Sequence, residues 1–378
     1  MSNYILSQTE KMEGFYMIKI CLTGGPCGGK STAIAALEQV LSDRGYKVFV
    51  IPETATELFT GGISPINGLV DFQKKILELQ LVKEKIYSLE ANNYSNSIVL
   101  CDRGIMDQLA YINESDLLTL LKEFGINDIE AASNRYDAVY HLVTAANGTD
   151  FYNKTSNKVR QESAEEALIK DQKTLMAWVG HPHLRVIDNS TGFEEKIQRL
   201  TDAVLTLLGE PQPTEIERKF LIKLPSPKIL SKIEYISKSN IVQTYLVSTV
   251  PNTERRIRQR GTKEKGFSFY YTEKTPVKGN MIERIEKEKK ITEKEYIEYM
   301  TSADPSRHTL IKTRYCFFYK NQYFEMDIYP FSSDKAILEI ELSSASDKPK
   351  LPDYLEIIKE VTSDPSYRNS ALAKRNTL

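Results

Sequence analysis

The sequence predicts a doubly wound α/β domain with a parallel sheet, followed by a mainly antiparallel β domain. Through residues 18–205, short apolar runs alternate with amphipathic helical stretches, the pattern of strands joined by helical crossovers. The stretch 208–214, which contains Gly and Pro, then ends the last helix and forms a short, stiff linker. Beyond it, strand follows strand. We therefore divide the chain into an N-terminal extension, an α/β domain, the linker and a β domain, at residues 1–17, 18–207, 208–214 and 215–378.

Within the α/β domain, five apolar runs predict strands and three longer stretches predict helices. The strands are expected at 18–22, 48–51, 98–101, 138–143 and 184–187. The helices are expected at 31–43, 71–91 and 193–208. Near the end of the β domain, a helical tail is expected around residues 352–361.

Composition narrows the possible partners and the compartment. The 378 residues carry a formal net charge of −1, so anions must be bound by local clusters and no nucleic-acid partner is expected. Four scattered cysteines without a C-x-x-C pair argue against disulfides and zinc and favour a reduced compartment. No apolar run approaches the roughly 18 residues of a membrane span. Residues 1–17 lack the apolar core of a signal peptide. We expect a cytoplasmic protein, with peripheral membrane association left open.

A glycine-rich loop lies between the first predicted strand and the first predicted helix. Its glycines let backbone N–H groups converge on phosphate oxygens, and the helix N-terminus adds partial positive charge. Lys30 should reach the outer phosphates and Ser31 should bind Mg²⁺. The loop predicts an ATP or GTP site, the alternative being a chance glycine-rich turn. The residues that fit the pattern G-x-x-x-x-G-K-[ST] are Gly24, Gly25, Pro26, Cys27, Gly28, Gly29, Lys30, Ser31 and Thr32.

Charged residues follow the next two predicted strands. Glu53 comes after the second strand and Asp102-Arg103 after the third, at the carboxyl ends where parallel sheets bind ligands. Either carboxylate could hold Mg²⁺ through water or accept a hydroxyl proton, and Arg103 could brace a transferred phosphoryl group. Arg160, in a polar stretch at 152–166 that could form a lid, is a further nucleotide-binding candidate. Each has a plainer alternative: Glu53 could be an acid at a helix N-terminus, Asp102 a structural loop anchor, and Arg160 a solvated surface charge.

The N-terminal half resembles the NadR-like P-loop family, a group of ATPases and small-molecule kinases close to the deoxynucleoside kinases. The resemblance runs through residues 24–32, 52–53, 102–104, 136–137 and 178–181. In such kinases the acid after the second or third strand often acts as base, so the resemblance makes Glu53 and Asp102 the candidates for the catalytic base. No Asn-Lys-x-Asp signature for guanine occurs, which leaves the base preference open.

Strands of the β domain carry charges at alternate positions, which share one face of an extended strand. The opposite faces are apolar, as in 324–328 and 338–342. An ordinary exposed face would mix charges loosely, so these repeated pairs predict a sheet that converges its charges on a polyanion and its metal ions. The alternating charges are Glu215, Glu217 and Lys219; Arg256, Arg258 and Arg260; Arg284, Glu286 and Glu288; Lys312 and Arg314; Glu325 and Asp327; and Glu339 and Glu341.

The C-terminal half resembles the CYTH, or triphosphate tunnel metalloenzyme, superfamily, whose signature E-x-E-x-K is met by Glu215, Glu217 and Lys219. The family fold is an antiparallel β-barrel that forms a tunnel with a charged interior. The resemblance implies a water-activating role for Tyr245 and Lys274. It implies triphosphate contacts from Lys219, Arg256, Arg258, Lys274, Arg284, Lys312 and Arg314. It implies Mg²⁺ or Mn²⁺ at Glu215, Glu217, Asp327, Glu339 and Glu341.

Charge balance supports that interpretation. A triphosphate carries about four negative charges, which interior lysines and arginines can hold. Clustered carboxylates would repel it and one another unless divalent cations lay between them. Two alternatives stay open: a salt-bridged barrel without a ligand, and a tunnel that binds a phosphorylated ligand without cleaving it.

Two functions follow. The first is an enzyme in which a P-loop NTPase or small-molecule kinase is coupled to tunnel phosphohydrolase activity on a triphosphate or other phosphorylated small molecule. The second is a regulatory protein that binds ATP or GTP and captures a phosphoinositide or other anionic phospholipid headgroup in the CYTH domain. The domain order resembles the TRPL translocation defect protein family, which is described as GTP- and phosphoinositide-binding. A structural scaffold is the third alternative.

Overall fold

The computed structural model describes residues 16–147, 163–209, 216–234, 236–251, 253–277, 280–320, 322–342 and 348–378, with the backbone alone at 16, 216, 275–277 and 280–287. The predicted ligands Arg160 and Glu215 lie outside the described residues, as does most of the predicted lid. The side chain of Arg284 lies outside them as well.

The chain divides into two compact units. The first unit comprises Met1–Phe124, Arg135–Ala177 and Asn189–Ile197. The second unit comprises Gly125–Asn134, Trp178–Asp188 and Gln198–Leu378. The predicted linker lies mostly outside the described residues, so the predicted domain boundaries stay predictions.

A five-stranded sheet of order β2-β3-β1-β4-β5 forms the centre of the N-terminal half. Strand β1 pairs in parallel with β3 and β4, and β2 pairs in parallel with β3. Each of the five strands lies where an apolar run predicts it, which confirms the predicted α/β domain with a parallel sheet. Strands β1 to β5 are Tyr16–Thr23, Lys47–Ile51, Asn96–Asp102, Ala138–Leu142 and Leu184–Ile187.

Helices connect these strands. Helix α1 begins at Lys30 and buries Ala33, Ile34, Leu37 and Leu41, the spacing of a single helical face. A short 3₁₀ segment, Ile105–Ala110, follows β3 directly. The predicted helices at 31–43, 71–91 and 193–208 correspond to α1, α3 and α7. Helices α1 to α7 are Lys30–Asp43, Thr54–Thr60, Leu69–Ala91, Glu114–Glu123, Ile129–Ser133, Ala164–Ala177 and Phe193–Leu207.

The register of the parallel strands brings their carboxyl ends to one edge. Leu22 in β1 pairs with Asp102 in β3, and Ile51 in β2 pairs with Cys101 in β3. The glycine-rich loop, Glu53 and Arg103 therefore leave the sheet at the same edge, as expected for ligand-binding residues of such sheets.

A nine-stranded antiparallel sheet, of order β10-β9-β8-β7-β11-β12-β13-β6-β14, forms the C-terminal half. Its strands β6 to β14 are Ile216–Lys223, Ser237–Leu246, Glu254–Thr262, Gly266–Val277, Asn280–Ile291, Leu310–Tyr319, Gln322–Ile328, Lys335–Leu342 and Ile357–Glu360. Helices α8 to α10 are Pro227–Leu230, Glu293–Met300 and Asn369–Arg375, and a 3₁₀ turn spans Pro365–Tyr367.

The apolar face of this sheet packs into two cores. One contains Phe324, Met326, Leu338 and Ile340, the alternating apolar residues of β12 and β13. The other contains Ile257 and Tyr271 from neighbouring strands and Tyr296 from α9. These residues occupy the faces that strand alternation predicts to be apolar.

One expectation stays untested and another differs from the structure. The pairing among the described strands runs from β10 at one edge to β14 at the other, and no described pairing joins these edges. Closure of the sheet into a barrel therefore stays a prediction. The predicted helical tail at 352–361 is wrong, because the chain there pairs with β6 as strand β14, and helix α10 follows later.

Candidate functional site

The glycine-rich loop is packed so tightly that a Cβ at any of its four glycines would lie within 3.0 Å of another residue, and at two of them the nearest atom is a β4 carbonyl oxygen. A Cβ on Gly28 would lie 2.6 Å from the carbonyl oxygen of Leu142 in β4. A Cβ on Gly24 would lie 2.2 Å from that same oxygen, and the φ of 138° at Gly24 is itself unfavourable for other residues. Glycine is thus required here for close approach to β4, in addition to any contact with a ligand.

Lys30 starts helix α1 and its side chain is buried. Its Nζ lies 3.3 Å from each of the carbonyl oxygens of Gly24 and Gly25, so the loop curls around the ammonium group. Ser31 and Thr32, which follow it, are exposed in the first turn of α1. Backbone N–H groups and partial positive charge at such a helix start favour phosphate.

Asp171 in α6 holds the glycine-rich loop through hydrogen bonds with backbone N–H groups. Its Oδ1 accepts hydrogen bonds from the backbone N–H of Gly25, at 2.7 Å, and of Thr144, at 3.2 Å. The same oxygen lies 3.2 Å from Nε2 of the buried His141. Burial opposes ionisation of Asp171, but His141 and the two N–H groups outweigh it and lower the pKa of Asp171. A charged side chain therefore fixes the loop's conformation.

Glu53 and Arg103 form an ion pair beside the loop. The Arg103 guanidinium also donates a 3.1 Å hydrogen bond to the carbonyl oxygen of Gly24, which ties the pair to the phosphate loop. Burial disfavours charged Glu53, but Arg103 and Lys30 overcome it and lower the pKa of Glu53 to about 2. The φ of Arg103 is 74°, in the left-handed region, so the turn after β3 directs this side chain at a conformational cost.

Asp102 has a different environment from Glu53. Burial raises the pKa of Asp102, with the Lys30 charge acting against that rise. Its Oδ1 is buried and has no hydrogen-bond partner among the described residues. A buried carboxylate oxygen without a partner among the described residues, under the influence of the Lys30 charge, fits a Mg²⁺ ion that takes most of its ligands from phosphates and water.

A pocket opens next to the Glu53–Arg103 pair, between α2, α3 and the 3₁₀ segment. Its cavity volume is about 140 Å³, and it is partly open to solvent. Glu53 and Arg103 form part of its lining, together with Phe72, Gln73 and Gln108. Asp102 is absent from that lining, so the two acids face different surroundings.

One face of the antiparallel sheet collects the predicted charged residues. The register pairs Glu217 with Glu341, Lys219 with Glu339, and Arg314 with Asp327. It continues with Gln243 opposite Arg258 and Tyr245 opposite Arg256, then Thr272 opposite both Arg256 and Glu288. Lys312, Asp327, Glu339 and Arg256 on this face are all buried, although the opposite face forms the apolar cores.

The acids and bases of β6, β11, β12 and β13 contact one another. Arg314 donates to both oxygens of Asp327, at 2.7 and 2.6 Å, and to Glu339 at 3.0 Å. Lys312 pairs with Asp327, and Lys219 pairs with Glu339 and, at 2.8 Å, with Glu217. Burial lowers the pKa of Lys312 to about 8, and the neighbouring Arg314 adds to that effect.

Tyr245 and Lys274 lie on the same face at the other end of the sheet. Tyr245 is buried, and burial raises its pKa to about 12 despite the nearby Arg256. Its phenol therefore stays protonated at neutral pH, which suits hydrogen-bond donation better than removal of a proton from water. Lys274 in β9 stands opposite Glu254 in β8.

Two of the acids predicted to bind a metal ion in the C-terminal half are paired with basic side chains. Both oxygens of Asp327 and both of Glu339 are already engaged by Lys219, Lys312 or Arg314. The residues that the structure describes include no group of three or more His, Cys, Asp or Glu side chains arranged to hold a metal ion. As they stand, Asp327 and Glu339 do not fit a metal ion. The metal-binding roles of Glu217 and Glu341 stay predictions.

Several residues of the first site are missing from the sequence prediction. Asp171 lies in an ordinary amphipathic helix, far along the chain from the loop it anchors. Asp107 accepts a 2.6 Å hydrogen bond from Thr23 at the end of β1, and Gln108 lines the pocket. In the sequence, Asp107 and Gln108 are marked only by their position. They lie four and five residues after Arg103, in the segment that must turn back over the sheet.

Comparison with protein families agrees with this geometry. Residues 19–196 match the family model of an AAA domain. No curated protein matches the chain, so the resemblance to the TRPL translocation defect protein family stays a prediction. In the portions of the chain that are described, no helix is long and apolar enough to cross a membrane.

Solved structures offer partial likenesses. The inorganic triphosphatase NE1496 is 28% identical over 43% of this chain and 95% of its own, with a TM-score of 0.30. The NadR protein in complex with NR is 17% identical over 53% of this chain and 54% of its own, with a TM-score of 0.40. Its complex with NAD and AMP-PNP is also 17% identical, with a TM-score of 0.36. At these TM-scores the likenesses alone establish neither fold nor activity.

Proposed function

We propose that the first unit is a phosphotransferase that moves the terminal phosphoryl group of ATP or GTP to a hydroxyl group of a small molecule. The observation that carries this is the junction of loop and pocket. Arg103 donates a hydrogen bond to the Gly24 carbonyl oxygen of the phosphate loop. It also forms an ion pair with Glu53, which lines the pocket. Donor and acceptor would then meet across a single ion pair.

Each residue has a distinct part in this reaction. The loop N–H groups and Lys30 hold the donor phosphates, and Arg103 supports the negative charge of the group in transfer. Ser31 and Asp102 would hold Mg²⁺, which when bound neutralises phosphate charge. The acceptor oxygen forms the new bond to phosphorus, the bond to the bridging oxygen of the nucleotide breaks, and the nucleoside diphosphate leaves with that electron pair. The hydroxyl proton passes to the Glu53 carboxylate once the new bond has formed.

Glu53 receives the hydrogen bond of the acceptor hydroxyl and aims its oxygen at phosphorus. A carboxylate with a pKa of about 2 is a weak base, so proton removal contributes little before the new bond forms. Positioning is the larger effect, as expected for phosphoryl transfer through a loose transition state.

A transfer assay tests this proposal. The protein is incubated with γ-labelled ATP or GTP, Mg²⁺ and a panel of hydroxylated small molecules, and labelled products are separated from free phosphate. We expect Glu53→Gln, which breaks the ion pair with Arg103 and so displaces both groups, to lower the transfer rate by about 100-fold or more, with nucleotide affinity retained. The matched control is Glu38→Gln, an exposed acid of α1. Equal transfer rates in the wild type and Glu53→Gln would overturn the proposal.

A second site is proposed on the charged face of the antiparallel sheet, where we infer binding of a chain of phosphates. The supporting observation is that Arg256, Lys312 and Arg260 are buried on a face opposite an apolar core. Several cations held together on one buried face repel one another, and a triphosphate supplies acceptor oxygens that would offset that repulsion. Hydrolysis of that ligand, with or without a metal ion, is the further step we propose to test.

Calorimetric titration with tripolyphosphate tests the second site. We expect Arg258→Gln to weaken binding, with the exposed Arg44→Gln as control. Parallel titrations with inositol phosphate and anionic vesicles test the lipid alternative, which neither the described residues nor the comparisons support. Tripolyphosphate binding that is unaffected by Arg258→Gln would contradict the second site.

A further inference from the structure

A segment that precedes the β domain contacts the charged face of the antiparallel sheet. This segment, Trp178–Asp188, belongs to the second compact unit, although the predicted β domain begins only at residue 215. Its contacts include charged side chains of β8, β10 and β13. These contacts join Gly180 to Arg260, His183 to Glu288 and Arg185 to Glu341. The segment is thus tied to the face for which we infer phosphate binding.

The contacted side chains lie near the ends of strands that run in the same direction. Arg260 lies two residues before the end of β8, Glu288 three residues before the end of β10, and Glu341 next to the end of β13. One antiparallel strand separates β10 from β8, and three separate β8 from β13, so all three strands end at the same edge of the sheet. The segment therefore contacts the charged face at one end of its strands.

The conformation of this segment is fixed by contacts of its own. The φ of Gly180 is 103°, and a Cβ there would lie 2.5 Å from Oγ of Ser237, so the position requires glycine. The backbone N–H of His183 donates a 3.1 Å hydrogen bond to Nδ1 of His181. The His181 ring in turn packs edge-on against the Trp178 ring, and both side chains are buried. The His183 side chain is thereby directed from a well-ordered turn.

Glu288 connects His183 to a predicted phosphate ligand. Its Oε1 lies 3.1 Å from Nε2 of His183. Its Oε2 accepts a 2.8 Å hydrogen bond from Thr272 and lies 3.7 Å from Nη2 of Arg258. Burial opposes ionisation of Glu288, but Arg258 and His183 outweigh it and hold the pKa of Glu288 well below its ordinary value. Since an ionised carboxylate can only accept, Nε2 of His183 is the donor.

We propose that His183 is a positioning residue of the phosphate site on the charged sheet, acting through Glu288 on Arg258. The hydrogen bond from His183 fixes the Glu288 carboxylate, and the carboxylate fixes where the Arg258 guanidinium meets a phosphate. This inference rests on the proposed binding of a chain of phosphates at that face. The site then extends beyond residues 215–378 to a segment that the sequence assigns to the preceding domain.

Two amide variants of His183 test the hydrogen bond. His183→Gln places its amide nitrogen where Nε2 lies and can still donate to Glu288, whereas the shorter His183→Asn ends before it. The full-length proteins are titrated calorimetrically with tripolyphosphate. We expect His183→Asn to bind about 3- to 10-fold more weakly than the wild type, and His183→Gln to bind within about 2-fold of it. His308→Asn, at an exposed histidine of the same unit, is the matched control.

A double variant tests whether His183 acts through Arg258. His183→Asn is combined with Arg258→Gln, and the double variant is titrated beside Arg258→Gln alone. We expect no further loss of affinity, because the group that His183 positions is already absent. A purely structural role would instead weaken binding by the same factor in both backgrounds and would lower the thermal stability of His183→Asn.

The outcomes separate this inference from the second site itself. Equal affinity in the wild type and His183→Asn overturns the inference, and so does a loss that His183→Gln fails to restore or that recurs in the double variant. In each of these cases the second site stands, provided that Arg258→Gln still weakens binding. If the wild type fails to bind tripolyphosphate, the second site is contradicted and the role of His183 with it.

Discussion

The Glu53 carboxylate pairs with the Arg103 guanidinium where the second and third strands of the parallel sheet end, and Arg103 also bonds the Gly24 carbonyl oxygen of the phosphate loop. Two residues fifty positions apart thus connect the loop to the neighbouring pocket. Their contact joins a nucleotide site to an acceptor site in our account.

The first prediction concerns acid. The pKa of Glu53 is lowered from an ordinary 4.5 to about 2, so the ionised form stabilises the fold above about pH 4.5 and that contribution is lost as the pH falls toward 2. It amounts to at most roughly 3 kcal/mol. The difference in the free energy of unfolding between the wild type and Glu53→Gln, measured with urea, should therefore become smaller as the pH is lowered from about 5 to about 3, a range that includes the ordinary pKa of about 4.5. A difference that stays constant, or that Glu38→Gln reproduces, would contradict the ion pair.

The second prediction concerns the loop glycines. In Gly28→Ala the new methyl group would lie 2.6 Å from the Leu142 carbonyl oxygen, a backbone atom that cannot easily move. We expect a loss of about 1–3 kcal/mol of stability and a marked loss of nucleotide affinity. Gly61→Ala is the control, since its Cβ would meet ordinary contacts at 3.4 Å and its φ is −76°. Thermal unfolding and nucleotide titration measure the stability and the nucleotide affinity of both variants. Equal losses in Gly28→Ala and Gly61→Ala would refute the packing argument.

The third prediction concerns Asp171, which accepts the N–H groups of Gly25 and Thr144. Asp171→Asn keeps an acceptor oxygen but loses the charge, so we expect about 1–3 kcal/mol of destabilisation and weaker nucleotide binding. Asp43→Asn, at the exposed end of α1, should change neither quantity appreciably. Amide hydrogen exchange of residues 24–29 would report the loop directly. If the loop amides were protected from exchange equally in the wild type and Asp171→Asn, Asp171 would not be what holds the loop.

The fourth prediction concerns Arg314, whose guanidinium contacts Asp327, Glu339 and Glu325. Arg314→Met would leave these carboxylates without their shared cation, at a cost of about 3–5 kcal/mol. Arg314→Lys keeps the charge but loses the two-pronged contact with Asp327, so its cost should be smaller. Chemical denaturation of the two variants compares them. Equal costs would show that charge alone matters, and no cost would show that the pairs contribute no stability.

Much of this fold is predictable because local patterns and tertiary structure agree. The run at 98–101 is apolar on both faces, as a central parallel strand requires, and Gly24 to Thr32 follows a strand and opens a helix. Alternation also places Lys219, Glu339 and Arg314 on one face, because the side-chain period of a strand is fixed.

The remaining features depend on contacts between distant residues. Asp171 lies 146 positions from Gly25, and nothing in its own helix marks it as a loop anchor. The pocket exists only once α2, α3 and the segment after Arg103 pack together, so the role of Gln108 is invisible in the sequence. The segment at 357–360 becomes a strand because β6 offers it an edge, a tertiary influence that outweighs its local preference.

The central claim is that one chain holds two separate phosphate sites, and crossed variants test it most directly. Nucleotide-dependent phosphate transfer and tripolyphosphate binding are measured for the wild type, Lys30→Ala and Arg258→Gln, with the exposed Lys85→Ala as control. We expect Lys30→Ala to lose transfer and keep tripolyphosphate binding, because the Lys30 ammonium lies inside the nucleotide loop. Arg258→Gln should do the reverse. If either variant removes both activities, or neither variant alters either one, the account is contradicted.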